Sequence, residues 1–410
     1  MASARIHPVI RWAFCLFVAS LPFELPERQV IPFEIPTITG ALFLATTLLQ
    51  PRVCFGRVPA AVVAFLGTLY LYAVSAAWNG WINGTEVWDL LLLMVQGMLI
   101  FWTASNLLRE DELARTILWS LVLACGVRAA LPLLGIGRTA YVVWTGGERI
   151  TAFGQNANAS AVILAAGLLT LIGLGQTDPR GGLRPRVLMW PLGALLGIAI
   201  IDTGSRGGLL ALGIGLVALV MSAAGSAWAT VRRAAAVALA IGFLVVASYR
   251  SELMRNRFED TAQTGTMAGR ELLFPALWDM TLEKPWLGWG PINNQYEVGL
   301  RIGERVRPKR DAHNLGLELL TASGVLGTIP FLIGLWLCAR AAWQARRGPH
   351  GTLPLALLVA LLASNMSGNR IGAKLFWLVL AYPVAAVAAT RARAEPRPSI
   401  RVSRLVQGER

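Results

Sequence analysis

Charge is scarce in this chain. Of its 410 residues only 15% are Asp, Glu, Lys or Arg, against about 25% in ordinary soluble proteins, which excludes a soluble domain with a normal surface. Carboxylates are the scarcer sign, 23 against 37 basic residues. The longest polar stretch holds no DxD pair or carboxylate cluster of the kind divalent cations prefer; Glu259-Asp260 is the nearest approach and reads as a solvated charge pair. The four cysteines, Cys15, Cys54, Cys125 and Cys338, stand singly, which excludes a Cys-based metal site or a disulfide framework and leaves them as small apolar residues. Histidine is rarer still, only His7, His313 and His350. No internal repeat and no low-complexity linker interrupts the chain.

What fills it is hydrocarbon: 55% of the residues are hydrophobic. Apolar runs lie near 10–24, 32–49, 58–78, 86–107, 114–135, 157–175, 187–201, 207–224, 234–249, 323–343, 352–367 and 371–390. Runs of about 17–25 apolar residues span a bilayer as helices, and several of these are short of that. The expectation is an all-α integral membrane protein of about twelve transmembrane helices. The first run follows Arg5, His7 and Arg11 but continues into Phe23-Glu24-Leu25-Pro26 without a small-residue cleavage site, so it reads as a retained helix rather than a removed signal.

Orientation follows from the basic residues of the short loops. With the N-terminus inside, Pro51 to Arg57, Arg109 to Arg115, Arg180 to Arg186, Arg232-Arg233 and Arg346-Arg347 are inner loops, as is the basic tail from Arg391 to Arg410. The outer loop Trp78 to Trp88 carries no Lys or Arg. Both termini are then cytoplasmic, and the net charge of +14 is largely a topology signal that needs no nucleic-acid partner. The chain divides into helices over 1–249, an outer loop over 250–312, helices over 313–390 and the tail over 391–410, all one membrane domain.

The outer loop is the place for water-facing chemistry. Its segment from Arg270 to Trp278 has helical spacing, with Leu273, Leu277, Met280 and Trp278 placed to lie along the membrane surface. Trp286 and Trp289 suit the headgroup region. The glycines and prolines of Lys284-Pro285-Trp286-Leu287-Gly288-Trp289-Gly290-Pro291 predict a turn. The loop therefore reads as one or two interfacial helices and a tight turn, forming a lid.

Three cationic or titratable groups stand out at this face. Arg206 sits in Asp202-Thr203-Gly204-Ser205-Arg206-Gly207-Gly208, where the glycines let a ligand approach the backbone; a salt bridge to Asp202 is the bland account. Arg270 opens the interfacial helix, with a lipid phosphate contact as its alternative. His313 opens the next apolar run, where a capping or packing role is the ordinary one. Arg301, Arg305, Arg307, Lys309 and Arg310 form a basic run just before it, suited to a solvated face or to an anionic glycolipid. Arg370 and Lys374 read as snorkelling to headgroups, and Arg128 inside a span needs a cavity or a partner. Asn83-Gly84-Thr85 fits a glycosylation sequon and is given no weight; His7 and His350 fall on the inner side and look incidental.

In order along the chain stand Ser205-Arg206-Gly207-Gly208-Leu209, Gly269-Arg270, Lys284-Pro285-Trp286-Leu287-Gly288-Trp289-Gly290, and His313-Asn314 followed by Leu319 and Gly324-Val325-Leu326-Gly327. This block, roughly Asp202 to Gly327, resembles the O-antigen ligase and polymerase superfamily of bacterial envelopes. Each motif alone is weak, but four in order on one membrane face are specific. The remaining runs agree only in number and hydrophobicity. The resemblance implies a GT-C type membrane glycosyltransferase fold in the inner membrane, with its site facing the periplasm. It implies transfer of a polysaccharide from undecaprenyl pyrophosphate to a sugar hydroxyl of the lipid A core. It assigns functional roles to Arg206, Arg270 and His313; beside them Arg301, Arg305, Arg307, Arg310, Asn314 and Trp289 are the expected substrate contacts, the basic cluster suiting a phosphorylated lipid A core.

The chemistry can be argued beside it. Outside the cytoplasm no nucleotide is at hand, so the donor must arrive activated, as a lipid pyrophosphate does. Planar guanidinium groups bind the departing charge, and a histidine of ordinary pKa near 6.5 serves as base for a sugar hydroxyl or orients it. No cofactor or metal is needed, and attack opposite the leaving group inverts the anomeric centre. Three other readings stand: a polymerase joining lipid-linked repeats, a protein-directed O-oligosaccharyltransferase, and, from another class, a lipid or solute transporter. Against the last, the spans hold few ionisable residues beyond Arg128 and no paired half-repeats appear.

Overall fold

The computed structural model describes residues 6–24, 34–80, 84–142, 147–177, 183–220, 227–265, 269–303 and 309–394. The sequon Asn83 lies outside them, as do Arg305 and Arg307 of the basic run. Among the described residues the chain is helical apart from one hairpin. The helices are α1 (Pro8–Ser20), α2 (Ile35–Thr47), α3 (Pro51–Cys54), α4 (Ala60–Asn79), α5 (Gly84–Leu107), α6 (Asp111–Leu133), α7 (Ala157–Thr177) and α8 (Leu183–Asp202). There follow α9 (Arg206–Val220), α10 (Ala227–Arg250), α11 (Glu252–Thr264), α12 (Arg270–Glu283), α13 (Asn293–Arg301), α14 (Leu315–Ala345), α15 (Leu353–Asn365) and α16 (Lys374–Ala394).

Each of the twelve apolar runs falls on a helix. Seven helices (α4, α5, α6, α7, α10, α14 and α16) are long and apolar enough to cross a bilayer. The other five runs form shorter apolar helices, Pro8–Phe23, Ile35–Thr47, Met189–Asp202, Arg206–Val220 and Leu353–Asn365. Thirteen residues at about 1.5 Å each reach about 20 Å, short of a hydrocarbon layer of about 30 Å. The core is one continuous apolar cluster through the bundle, with α14 on α4, α15 on α9 and α16 on α5 as its broadest pairings.

Polar contacts collect at two ends. At one, the His7 amide donates to Gln50 Oε1 (2.9 Å), Arg11 pairs with Glu110, Arg115 donates to Thr177 O (2.8 Å), and Asp111 meets His350 (3.2 Å) and Arg393. Arg232, Arg233, Arg346 and Arg347 line a cavity together with Thr177, which places them at this end as well. At the other end lie Glu24, Asn158, Ser205, Arg206, Arg270, His313 and Lys374 (below). The basic loops among the described residues thus gather on one face.

The polar insert departs from expectation. It holds three helices, α11, α12 and α13, where one or two were read, because α11 and α13 are polar overall and each buries only a few apolar residues, Leu253 and Met254 in the one and Val298 in the other. Leu273, Leu277 and Met280 do not lie along a membrane surface. They are buried against Val298 and Ala312, because α12 packs on α13 and α14; Leu272, Trp278, Leu282 and Trp286 are the exposed large apolar residues of this segment. The hairpin β1 (Arg138–Val142) to β2 (Glu148–Ala152), antiparallel with Arg138 opposite Ala152, was not foreseen either.

The expected turn at 284–291 is present, and its position explains its glycines. Inside α14 the backbone breaks at Gly324 (φ 63°, ψ −168°), releasing carbonyls and amides that a helix in an apolar setting must pair. The turn pairs them. Trp289 N donates to Thr321 O (2.7 Å) and Gly290 N to Ala322 O (3.1 Å), while Val325 N and Leu326 N donate to Pro285 O (2.8 Å) and Trp286 O (3.2 Å). From α4, the Ser75 hydroxyl reaches Leu287 O (2.5 Å) and Ala322 O (2.8 Å), and Asn79 Nδ2 donates to Gly288 O (3.1 Å). A Cβ on Gly324 would strike Trp286 O, and one on Gly288 (φ 67°) would stand 2.5 Å from Thr321 O and 2.8 Å from Gly324 N.

Gly265 shares the φ of 67° but has nothing within 4 Å of a Cβ, so the two glycines separate conformational strain from collision. Gly265→Ala should cost about 1–2 kcal/mol in thermal unfolding of the detergent-solubilised protein. Gly288→Ala should cost about 1–3 kcal/mol beyond that. Equal losses would mean the clamp on the broken helix is loose.

Candidate active site

The RGG turn is shaped by what its glycines touch. α8 ends at Asp202, and Gly204 turns the chain at φ 63°. Ser205 then caps α9: its hydroxyl accepts from Gly208 N (3.1 Å) and donates to Asn158 Oδ1 (2.9 Å). A Cβ on Gly208 would collide with Ala161 of α7, and one on Gly207 would stand 2.5 Å from Ser367 Oγ. Only glycine lets the start of α9 press against both α7 and the α15–α16 connection. Arg206 makes no salt bridge to Asp202; its Nη1 donates to Arg257 O in α11 (2.8 Å).

Arg270 opens α12 behind Gly269 (φ 82°), and its Nη2 donates to Ser367 O (3.0 Å). Asn314 caps α14 by accepting from Leu317 N (3.1 Å), and its amide reaches Met366 O (3.4 Å). His313 therefore sits one residue before the helix, in left-handed backbone (φ 49°), a conformation that costs a non-glycine residue of order 1 kcal/mol or more. Asp311 holds it there. One carboxylate oxygen accepts the His313 amide (3.1 Å), and the other lies 3.8 Å from Nδ1.

Sequence positions more than a hundred residues apart thus meet at one short connection, 366–370. Met366 O takes Asn314, Ser367 O takes Arg270, and Ser367 Oγ faces Gly207 beside Arg206. A cavity of about 370 Å³ opens here, lined among others by His313, Asp311, Arg370, Ser367, Asn158 and Glu24. Arg206 and Arg270 do not line that cavity; Arg270 bonds Ser367, which does, and Arg206 is placed beside it through its neighbour Gly207.

Further arginines join them that the sequence did not mark as site residues. Arg149 of β2 donates to Thr203 O (2.6 Å) and to Asn158 Oδ1 (3.2 Å). Arg370 donates to Asn158 O (3.0 Å) and is a wall of the His313 cavity, where snorkelling was expected. Lys374 is likewise buried, 1% exposed, between Glu24 (3.2 Å) and Glu34 (3.3 Å); both turn inward because the connection folds over the bundle instead of reaching the surface. Arg128 does have the partners its burial requires, Gln155 and Ser160.

The electrostatics are those of a cation cluster in want of an anion. Burial first, then Arg149 and Arg206, push Arg257 down to about 10. Burial, then Arg206, lowers Arg270, and burial alone accounts for Arg370 at about 10, opposed by Asp311 and Glu24. Buried Nε atoms of Arg257, Arg270 and Arg370 have no hydrogen-bond partner. His313 is lowered from its ordinary value chiefly by burial, against Asp311, which raises it, and with Arg270, Arg310 and Arg370, which lower it further. Its imidazole is neutral at neutral pH.

Trp289 and Arg301 are otherwise engaged. Lys284 and Arg301 cover the Trp289 ring at 4.0 and 4.9 Å, and its Nε1 donates to Met280 O (2.9 Å). Arg301 makes a two-pronged contact to Glu283 (2.6 Å for each) and bonds Glu297 (2.8 Å), which raises its pKa. Together they fasten α12 to α13. Lys309 pairs with Glu86 of α5, while Arg310 lies close enough to act on His313.

A family model described as O-antigen ligase matches residues 191–332, a block that contains Arg206, Arg270, His313 and the Gly324 break. A curated O-antigen ligase from Pseudomonas aeruginosa is 28% identical over 361 residues, spanning 85% of this chain and 82% of that protein. The resemblance read from the motifs and these two matches point the same way.

The Gly207–Ser367 contact gives a stability test independent of activity. Gly207→Ala should lower the unfolding temperature, and Ser367→Ala, which removes the colliding hydroxyl, should restore much of the loss in the double variant. A coupling of about 1 kcal/mol or more is expected; additive losses would mean that the two surfaces do not press together.

Proposed function

We propose, for a chain that resembles the O-antigen ligases in its motif block and across most of its length, that it joins an O-antigen polysaccharide to the lipid A core. The donor is the glycan on undecaprenyl pyrophosphate, and the acceptor is a sugar hydroxyl of the core. The observation that carries this reading is the meeting of Arg206, Arg270 and His313 around the 366–370 connection, among guanidinium groups whose buried Nε atoms lack partners. The five shorter apolar helices complete twelve crossings with the seven longer ones, in a GT-C type arrangement in the bacterial inner membrane. The basic end of the bundle faces the cytoplasm, and the His313 end faces the periplasm.

In this mechanism the neutral His313 takes the proton of the acceptor hydroxyl as its oxygen attacks the anomeric carbon. The bond from that carbon to the pyrophosphate oxygen breaks, and lipid pyrophosphate leaves from the opposite face, so the centre inverts. Arg206 and Arg270 hold the charge that develops, through the paired hydrogen bonds guanidinium offers to phosphate oxygens. Arg149, Arg257 and Arg370 add to the field, which is stronger in a site of low dielectric. Asp311 aims the imidazole through its backbone amide and faces Nδ1, leaving Nε2 for the acceptor. The step needs neither metal nor nucleotide.

The deciding experiment supplies purified protein with undecaprenyl-pyrophosphate glycan and glycan-free lipid A core, without added metal or nucleotide. Joined product is expected, with rate losses of about 10²–10³ for Arg206→Ala or Arg270→Ala and about 10²–10⁴ for His313→Ala. Lengthened lipid-linked glycan with the core ignored would make the chain a polymerase, and no transfer at all would return it to the transporters.

The pH profile probes the base. Because burial and the neighbouring arginines depress His313, the acid limb of kcat/KM should lie below the ordinary histidine value of about 6.5. Asp311 raises the pKa of His313, so Asp311→Asn should move that limb to still lower pH. A limb that moves upward, or does not move, removes His313 from the role of base.

A further inference from the structure

The β1–β2 hairpin borders a second cavity that the chemistry above does not use. It measures about 220 Å³ and lies between α6, α7, α8 and the turn that leads to Arg206. Its walls include Arg128 of α6, Arg138 and Thr151 of the hairpin, and Asp202 at the end of α8, with Leu133 and Ile198 on its apolar side. One layer of side chains separates it from the His313 cavity. Arg128 bonds both Ser160, which lines this cavity, and Gln155, which lines the other.

The polar walls lack partners of both kinds. Arg128 and Thr151 are each 3% exposed, and the Arg128 Nε and Thr151 Oγ1 atoms are buried without a hydrogen-bond partner. Asp202 is not held by Arg206, which donates to Arg257 O. Among the described residues it accepts no hydrogen bond and forms no ion pair; Arg138 lies close enough to act on it, beyond ion-pair contact. Buried polar groups left unmet are costly, and here they surround one space. A phosphate would meet the arginines and be repelled by Asp202; an ammonium group would do the reverse. A hydroxyl suits both, donating to a carboxylate and accepting from a guanidinium. Several hydroxyls on one ring, with a carbon face for Leu133 and Ile198, describe a sugar. The volume falls below the range of about 300–1,000 Å³ common for larger ligands, which fits one ring and excludes a chain of them.

We propose that this cavity is a subsite for one uncharged sugar ring of a substrate glycan. Asp202 accepts from the ring hydroxyls, Arg128, Arg138 and Thr151 donate to them, and the carbon face lies on Leu133 and Ile198. The inference rests on the transferase reading for its glycan and extends it, since the ring held here is not the one that reacts. Strand β2 then serves both spaces, with Arg149 on Asn158 of the His313 cavity and Thr151 in the wall of this one.

Native mass spectrometry of the purified full-length protein tests it with two pairs of ligands. One pair is undecaprenyl pyrophosphate with and without its glycan; the other is lipid A with and without its core sugars. Asp202→Asn should weaken retention of one sugar-bearing ligand by about tenfold or more, as expected for a hydrogen bond to a charged group, and leave its sugar-free counterpart unchanged. The ligand that suffers names the source of the ring, donor glycan or acceptor core, and either result supports the subsite. Arg138→Ala should act in the same direction; this residue is exposed on the hairpin, so it decides the matter alone if Asp202→Asn does not fold. Wild-type retention of both sugar-bearing ligands by the variants, or an equal loss of the sugar-free ones, would overturn the proposal. Joined product from the wild type beside unchanged binding in the variants sinks the subsite and leaves the transferase. Sugar-dependent binding lost in the variants, with no product from the wild type, sinks the transferase and leaves the subsite.

Discussion

A helix broken inside an apolar bundle must find partners for the backbone groups it frees, and the arrangement of the polar end follows from how α14 meets that demand. At Gly324 the partners are the carbonyls and amides of the 285–290 turn, with Ser75 and Asn79 of α4 completing the set. One face of this clamp fixes the short half of α14, which His313 and Asn314 lead. The other fixes the end of α12, which Arg270 begins. Two groups of the site are thereby held at a set separation by backbone hydrogen bonds, which no side-chain rotamer can loosen. The apolar contact of Leu273, Leu277 and Met280 with Val298 and Ala312 closes the same unit from above.

The second constraint is electrostatic and unfavourable. Arg149, Arg206, Arg257 and Arg270 lie near enough to depress one another, and Asp260 and Asp311 are too few to neutralise them. Such repulsion is tolerated because main-chain carbonyls stand in as acceptors: Arg257 O, Ser367 O, Thr203 O and Asn158 O each take one guanidinium. A carbonyl carries only a partial charge, so a polyanion is the better partner and can displace it. The arrangement is stable enough to fold and unsatisfied enough to bind.

The gathering of three of these groups at one end was legible in the chain. Arg206, Arg270 and His313 declare themselves because each stands beside a structural marker, the Gly-Gly of a helix start, the Gly before a helix, the Asn of an N-cap, and because all fall on the same side of an alternating pattern of apolar runs. Arg149, Arg257 and Arg370 carry no such marker. Their role comes from tertiary contact with Asn158, Thr203 and each other, which no local spacing reports. Trp289 and Arg301 show the opposite case: residue types suited to a glycan or headgroup are held instead by Lys284, Glu283 and Glu297, and only the packing of α12 on α13 decides it. The Leu273 face was read for the right helix with the wrong neighbour, since an apolar stripe does not say whether lipid or protein covers it.

Lys374, held by Glu24 and Glu34, joins the first polar turn of the chain to its last helix, and the 366–370 connection that gathers the site immediately precedes it. A ribosome delivers these pieces some 350 residues apart. Until the 366–370 connection is made, Arg206, Arg270 and His313 have no common surface to meet on, and until α16 begins Glu24 waits without Lys374. Since the chain is delivered from its N-terminus, the proposed catalytic end is the last part of the bundle to be completed, and a chain interrupted before residue 366 holds Arg206, Arg270 and His313 yet lacks the connection they gather on.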